Sequence, residues 1–312
     1  MKIKTLAIHP STSIRMNALL RTMQRYGHTI TNTNDKNSDL FFVDCIWPDR
    51  IPKKVVDSLR DFDGHIVLMS LGDMNMFRLN ILPDDIVDKV KGFAKIQWSK
   101  DTSIYDPRIL NKKITVHPFL IDGIPQPINK KSKACFFGLP TGEENSDQNL
   151  RIKCCRILKE KEWFVGGIVG QEPGAKDRDI SGLEIGHRPR HMYLNAINQA
   201  ILSICMPGNS PLTYRLFESL GVGSAVVSCS LDSVEWLNKM ESGKHYIQVD
   251  ESLDNLLDTC LSCLNERSRT FQIAQNGHSL YNQYYKIESD GGLTDNMWRD
   301  ISSQFVKLGI PV

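Results

Sequence analysis

A chain of 312 residues that is 41% hydrophobic and 24% charged, with a formal charge of +2, has the composition of an ordinary soluble globular protein. It is too long for a single small core and suits two domains of about 150 residues each. No apolar run reaches the roughly 18 residues of a membrane-spanning helix, and MKIKTLAIHPSTS leads directly into a first strand, so no signal peptide is expected.

The small net charge hides an asymmetry. Residues 1–133 hold 14 Lys and 7 Arg against 14 Asp and no Glu, a net of +7, whereas the remainder carries −5. The basic excess lies between Lys89 and Lys133, where ten Lys and Arg face Asp101, Asp106 and Asp122. The first half is thus the one suited to an anionic partner. Eight cysteines, at 45, 135, 154, 155, 205, 229, 260 and 263, stand mostly in apolar settings, as free core thiols do. Cys260 and Cys263 have C-x-x-C spacing, but it falls on a helical pattern and no second pair completes a zinc site. A reducing, cytoplasmic compartment is expected, and no metal is.

Taken in order, KTLAIH (Lys4 to His9) reads as a buried strand and Pro10-Ser11-Thr12 as a turn and cap. A helix follows from about Ser13 to Tyr26, with Ile14, Ala18, Leu19 and Met23 on one stripe and Gly27 as its stop. DLFFVDCI (Asp39 to Ile46) and HIVLMSL (His65 to Leu71) are continuous apolar runs of the kind that fill a parallel sheet covered on both faces. Between them Val55 to Phe62 is helical. Phe93 to Trp98 and Lys113 to His117 are shorter strands. Residues 118–132, PFLIDGIPQPINKKS, carry no period and read as a linker. KACFFG (Lys133 to Gly138) restarts the alternation, followed by a helix from about Asn149 to Glu162 and a strand from Trp163 to Val169. Gln171 to Arg190 reads as a long polar loop, and His191 to Gln199 as a helix. Further on, helices are expected over Ser233 to Met240, Leu253 to Leu264, Ser268 to Tyr285 and Asp295 to Leu308, with a strand near His245 to Val249. The fold class is α/β, with two Rossmann-like domains over residues 1–125 and 126–312.

The most informative stretch is Cys205 to Ser228, CMPGNSPLTYRLFESLGVGSAVVS. A strand ends at Cys205, a Pro-Gly-Asn-Ser loop opens a helix, and a glycine pair leads into a second buried strand. A loop joining a strand end to a helix start presents backbone N–H groups, which suits a phosphate. Arg215 adds a cation in the first turns and Glu218 a carboxylate three residues later, the pair needed for a diphosphate and for ribose hydroxyls. Gly221 and Gly223 read as a helix stop and a close strand approach.

Pro207 to Ser210, then R-L-F-E-S-L-G-V-G-S-A-V-V (Arg215 to Val227), an acidic-hydrophobic helix, H-Y-I-Q-V and a helix rich in Leu and Asp together resemble the donor-binding half of GT-B glycosyltransferases, including exostosin-like and group 1 members. Lys133 to Gly138 with Arg151 is similar to the start of that half. The resemblance implies two Rossmann-like domains facing a cleft, with the nucleotide-sugar on the C-terminal one and the C-terminal helix packing back on the N-terminal one. It implies that Glu218 holds ribose hydroxyls and that Arg215 neutralises the departing diphosphate. Ser210, Thr213, Asn209 and Gly208 would meet the phosphates, with Arg151 and Arg190 within reach. A UDP-sugar is the expected donor, and no other cofactor is implied.

One position departs from the pattern. Many retaining members carry a glutamate eight residues before the one matched by Glu218, where this chain has Ser210, so the stereochemical course stays open. Asp177-Arg178-Asp179 has D-x-D spacing but sits in a polar loop, which favours a metal-independent reaction. A general base, if the reaction inverts, belongs at the C-terminal ends of N-domain strands: Asp73, His9 and Asp44 are the candidates. The basic half points to an anionic acceptor, either hydroxymethylated phage-type DNA or an acidic glycan. Trp47, Phe93 and Trp98 could stack on bases but lie in strand patterns that suit the core. Two alternatives stay open: a nucleotide-sugar epimerase of the same architecture, and a non-catalytic nucleic-acid-binding protein. A dehydrogenase is disfavoured because IHPSTS stands where G-x-G-x-x-G would follow the first strand.

Overall fold

The computed structural model describes residues 1–7, 13–31, 37–44, 53–70, 83–118, 121–129, 131–139, 149–170 and 179–312. The chain forms two compact units. The first comprises Met1–Leu120, Ser233–Asn238 and Gln283–Val312, and the second Ile121–Asp232 and Lys239–Asn282.

The first unit is built on a six-stranded parallel sheet. Its strands are β1 (Lys2–Ala7), β2 (Thr29–Thr31), β3 (Leu40–Asp44), β4 (His65–Ser70), β5 (Val90–Lys95) and β7 (Lys113–Thr115), in the order β2-β1-β3-β4-β5-β7. Leu40 to Val43 are fully buried, as their unbroken apolar run requires of a strand covered on both faces. Helices α1 (Ser13–Arg25), α2 (Lys53–Arg60), α3 (Asp84–Lys89) and the single-turn α4 (Pro107–Leu110) flank the sheet. Gly27 ends α1 with φ +86°, a left-handed turn that glycine adopts without strain. The last helix, α10 (Asp295–Lys307), closes this unit against β7. Gln304 accepts from the Thr115 N–H at 2.8 Å and donates to its carbonyl at 2.9 Å.

The second unit carries a five-stranded parallel sheet of β8 (Lys131–Gly138), β9 (Phe164–Ile168), β10 (Ala200–Ile204), β11 (Ala225–Ser228) and β13 (Ile247–Gln248), in the order β13-β11-β10-β8-β9. The chain enters at β8, steps outward to β9, then crosses back to β10 on the other side of β8. Between β8 and β10 the winding direction reverses, and at such a switch point the loops leaving the strand ends part and open a crevice. Side chains alternate as a strand dictates. Ala134 and Phe136 join the core under α5 (Leu150–Leu158) and α8 (Leu256–Asn265), while Cys135 and Phe137 meet α6 (Arg190–Gln199) on the opposite face. Gly166 lets β9 lie close to β8: its φ is +133°, and a Cβ there would fall 1.7 Å from the Phe136 carbonyl oxygen.

The structure departs from the sequence expectations in several places. Ser233 to Met240 is not a helix. It contains β12 (Val234–Glu235), paired antiparallel with β6 (Trp98–Ser99) in the first unit. Val234 is buried, Trp236 stacks on Tyr285 at 5.9 Å, and Asn238 turns left-handed at φ 56°, contacts that outweigh a weak helical pattern. The short edge strand β2 and the six-residue α3 have too few residues for a periodic signal. The helix expected over Ser268 to Tyr285 ends as α9 (Arg267–Leu280) and continues as a π turn over Tyr281–Tyr285. Of the seven cysteines in described segments, six are buried and Cys263 is half-buried, all as free thiols, and Cys45 lies outside those segments.

Candidate functional site

The site is assembled at the switch point of the second unit, where β8 and β10 end. Helix α7 (Tyr214–Gly221) begins there, after the loop that leaves β10. The first N–H groups of a helix have no partner within it, and the N-cap residue Thr213 supplies no side-chain cap. Its Oγ1 is buried without a hydrogen-bond partner, and so are Nε and Nη1 of Arg215. Buried polar atoms are almost always paired. Three unpaired ones in the first turn of one helix, two of them on a cation, form an arrangement completed by an anionic ligand.

The F-F-G end of β8 seats this arginine. The guanidinium lies over the Phe136 ring, 4.8 Å from its centroid. Gly138 makes room for it, since a Cβ there would stand 3.2 Å from Nη2 and 3.4 Å from Nη1. Burial works against the charge, but Tyr193, Cys205 and Glu218 around it favour the charged form and its pKa is raised. Arg215 is a fixed cation.

Glu218 is buried one turn further along α7. Its Oε2 accepts a 2.7 Å hydrogen bond from the Tyr193 hydroxyl of α6. Its Oε1 lies 3.7 Å from Nη2 of Arg190, a half-exposed residue that also donates to the Asp122 carbonyl at 2.9 Å. Burial raises the Glu218 pKa; the Tyr193 bond and the charges of Arg190 and Arg215 pull it back part of the way. Burial also pushes the Tyr193 phenol well above its usual range, so it serves as the donor of that bond. Phe137 meets the Tyr193 ring edge-on at 5.7 Å and fixes it, while Arg188 covers the Phe137 ring at 5.3 Å.

The structure therefore brings Thr213, Arg215, Glu218 and Arg190 together. Other expected contacts are already engaged. Arg151 donates from Nε to the Pro207 carbonyl at 3.0 Å and from Nη1 to the Leu139 carbonyl at 2.6 Å, joining the loops that leave β10 and β8. Ser210 gives its hydroxyl to the Leu212 carbonyl at 3.0 Å, and the Gly208 N–H binds the Ser210 carbonyl at 3.1 Å. These bonds shape the loop beneath the site, and exposed Asn209 stands at its tip. Gly223 ends α7 with φ +67°. A Cβ at Gly221 would fall 2.8 Å from Ile124 and 3.0 Å from Tyr281, so Gly221 permits a close approach. Asp179 pairs with Arg156 at 3.3 Å, and Asp177 lies outside the described residues.

Of the acid–base candidates, His9 and Asp73 lie outside the described residues. Asp44 ends β3, next to the β1/β3 switch point of the first unit, and only its backbone is described. Sequence reasoning missed a second polar group in that unit. Ser70, Lys95 and His117, all buried, stand at or just past the ends of β4, β5 and β7, with Lys95 Nζ 3.3 Å from Ser70 Oγ. Nδ1 of His117 donates to the Pro118 carbonyl at 2.9 Å. The signal was the lysine inside FAKIQW, a charge in the middle of an apolar strand run. Phe93 and Trp98 are core residues, and Trp47 lies outside the described segments. Among the described residues, no group of three His, Cys, Asp or Glu could hold a metal ion, and no helix is long and apolar enough to cross a membrane.

No family model and no curated protein matches the chain. Solved structures do match along its whole length. A glycosyltransferase from Rickettsia africae aligns with TM-score 0.59 and 10% identity over 98% of each chain. The Anabaena protein HepE in complex with UDP-glucose aligns with TM-score 0.55 and 9% identity over 99% of each. An alpha-glucosyltransferase in complex with UDP and a 13-mer DNA containing an A:G mismatch aligns with TM-score 0.58 and 9% identity over 99% of this chain and 100% of that one. The fold is that of the GT-B glycosyltransferases, with two Rossmann-like α/β domains.

Proposed function

We propose that the protein is a glycosyltransferase that moves a sugar from a nucleoside-diphosphate donor, a UDP-sugar in the first instance, to an acceptor hydroxyl. The observation that carries this reading is the unpaired set at the start of α7, Thr213 Oγ1 with Arg215 Nε and Nη1, at the switch point of a parallel sheet. Negative charge grows on the diphosphate as the sugar–phosphate bond breaks. Donors fixed in advance, in a site screened from water, stabilise that charge most. Arg215 and the α7 N-terminus supply positive charge there without a metal ion. Glu218 accepts from ribose hydroxyls through Oε1, and Arg190 flanks it. UDP and UDP-glucose in the similar structures support the choice of donor.

The acceptor belongs to the first unit, and the net +7 of residues 1–133 supports an anionic one, DNA or an acidic glycan. Buried Lys95 and His117 add polar side chains at the ends of its strands. Asp73, His9 and Asp44 stand as the general-base candidates for an inverting reaction.

Thermal shift against UDP, GDP and their sugar conjugates tests the donor site. A ligand at a hundred times its Kd adds about 2.7 kcal/mol to stability, so at least one nucleoside diphosphate is expected to raise Tm by several degrees. No shift with any of them would overturn the proposal.

A further inference from the structure

Arg215 and Glu218 lie three residues apart on α7, a spacing at which opposite charges on a helix surface normally meet. They do not form the pair here. Among the described residues, the cation within 4 Å of the Glu218 carboxylate is Arg190, and Arg215 keeps two N–H groups unpaired. What stands at the carboxylate instead is the Tyr193 hydroxyl, 2.7 Å from Oε2. Tyr193 comes from α6, outside the helix that carries both charges, and the Phe137 ring at 85° holds it in place.

We propose that Tyr193 is a positioning residue that restrains the Glu218 carboxylate and so prevents it from closing onto Arg215. The guanidinium then keeps Nε–H and Nη1–H for the diphosphate, and Glu218 keeps Oε1 for a ribose hydroxyl. The inference rests on the donor reading above. Without the phenol hydroxyl, the cheapest way to satisfy two buried opposite charges is a direct Arg215–Glu218 pair. That pair would compete with the donor for the same atoms.

The groups facing Glu218 are Tyr193 and Arg190 from α6, Arg215 from α7 itself, Tyr281 after α9 and Cys205 after β10. Cys205 and Tyr281 have raised pKa values and stay neutral near pH 7, so Tyr193 and the two arginines set the charge state of Glu218. The Tyr193 bond lowers the Glu218 pKa, against the upward push of burial. In its absence the direct Arg215–Glu218 pair favours the ionised carboxylate and moves its protonation to lower pH.

The test is Tyr193→Phe in the full chain, read by UDP titration from pH 5 to 8 and by a double-mutant cycle with Glu218→Gln. Y193F is expected to weaken UDP about 10- to 100-fold and to shift the acid limb of binding downward, as the new Arg215–Glu218 pair holds the carboxylate ionised. In the E218Q background, where no carboxylate remains to capture Arg215, Y193F is expected to change UDP affinity less than about 2-fold. Equal losses in both backgrounds, or an unchanged affinity and acid limb in Y193F, would overturn the proposal. Should Y193F fail to fold, Tyr193→Met, which also lacks the hydroxyl, takes its place in the same cycle with E218Q, with the same expected and contrary results. Wild-type protein that binds no nucleoside diphosphate would remove the donor reading itself, an outcome distinct from a Tyr193 variant that binds normally.

Discussion

Replacing Arg215 by methionine separates a ligand-binding cation from a structural one, because the two roles move stability in opposite directions. Methionine matches the length of the side chain and can rest on the Phe136 ring. In the ligand-free protein, Nε and Nη1 are buried without partners, and each such group costs about 1–3 kcal/mol. Against this stands the cation–π contact at 4.8 Å, about 0.5–2 kcal/mol. Removing the guanidinium should therefore raise ligand-free stability, by up to about 5 kcal/mol, and with it the Tm. The same change removes two charge-assisted hydrogen bonds to a bound diphosphate, about 1.5–3 kcal/mol each, so UDP affinity should fall more than about 100-fold. Calorimetric unfolding and isothermal titration on one preparation measure both. A variant with lower Tm and unchanged UDP affinity would show that Arg215 supports the fold and binds nothing.

Three further outcomes follow from the same geometry. Thr213→Val replaces the unpaired buried Oγ1 by a methyl group, so Tm should stay within a few degrees while UDP affinity falls about 5- to 10-fold, checked by the same titration. Arg151→Met should act the other way: it leaves the Pro207 and Leu139 carbonyls without their donor, costs about 2–4 kcal/mol of stability, and lowers Tm in calorimetry. The third concerns pH. Burial raises the Glu218 pKa in the folded state, so its neutral form favours folding; that contribution is present below the unfolded carboxylate pKa and lost as pH rises through the folded value. Glu218→Gln should thus raise Tm near pH 7 and remove a loss of UDP binding on acidification, read from titrations at stepped pH.

The alternation of strands and helices was plain in the sequence because parallel strands buried on both faces leave long apolar runs such as LFFV and HIVLM. The switch point was not, since strand order depends on which edges pair and no local pattern encodes it. The strand–loop–helix junction that carries Arg215 and Glu218 was legible, because a buried apolar strand, a Pro-Gly-Asn-Ser loop and a helix follow one another in the sequence. Arg151 looked like a ligand contact from its position, yet its guanidinium binds two carbonyls from loops 12 and 56 residues away. Tyr193 carried no signal, being one aromatic residue on a helix 25 residues before the carboxylate it holds. The stretch around Trp236 misled because its hydrophobic spacing fits a helix, while its partners, Trp98–Ser99 and Tyr285, come from distant parts of the chain.

The most direct test of sugar transfer is mass spectrometry of the products formed from a set of UDP-sugars with hydroxymethylcytosine DNA and an acidic glycan as rival acceptors, in buffer containing EDTA. The expected result is an acceptor heavier by one sugar residue together with released UDP, both absent when the R215M variant replaces the native protein. Intact donors and unmodified acceptors, under conditions where UDP binding has been measured, would contradict the assignment of transfer.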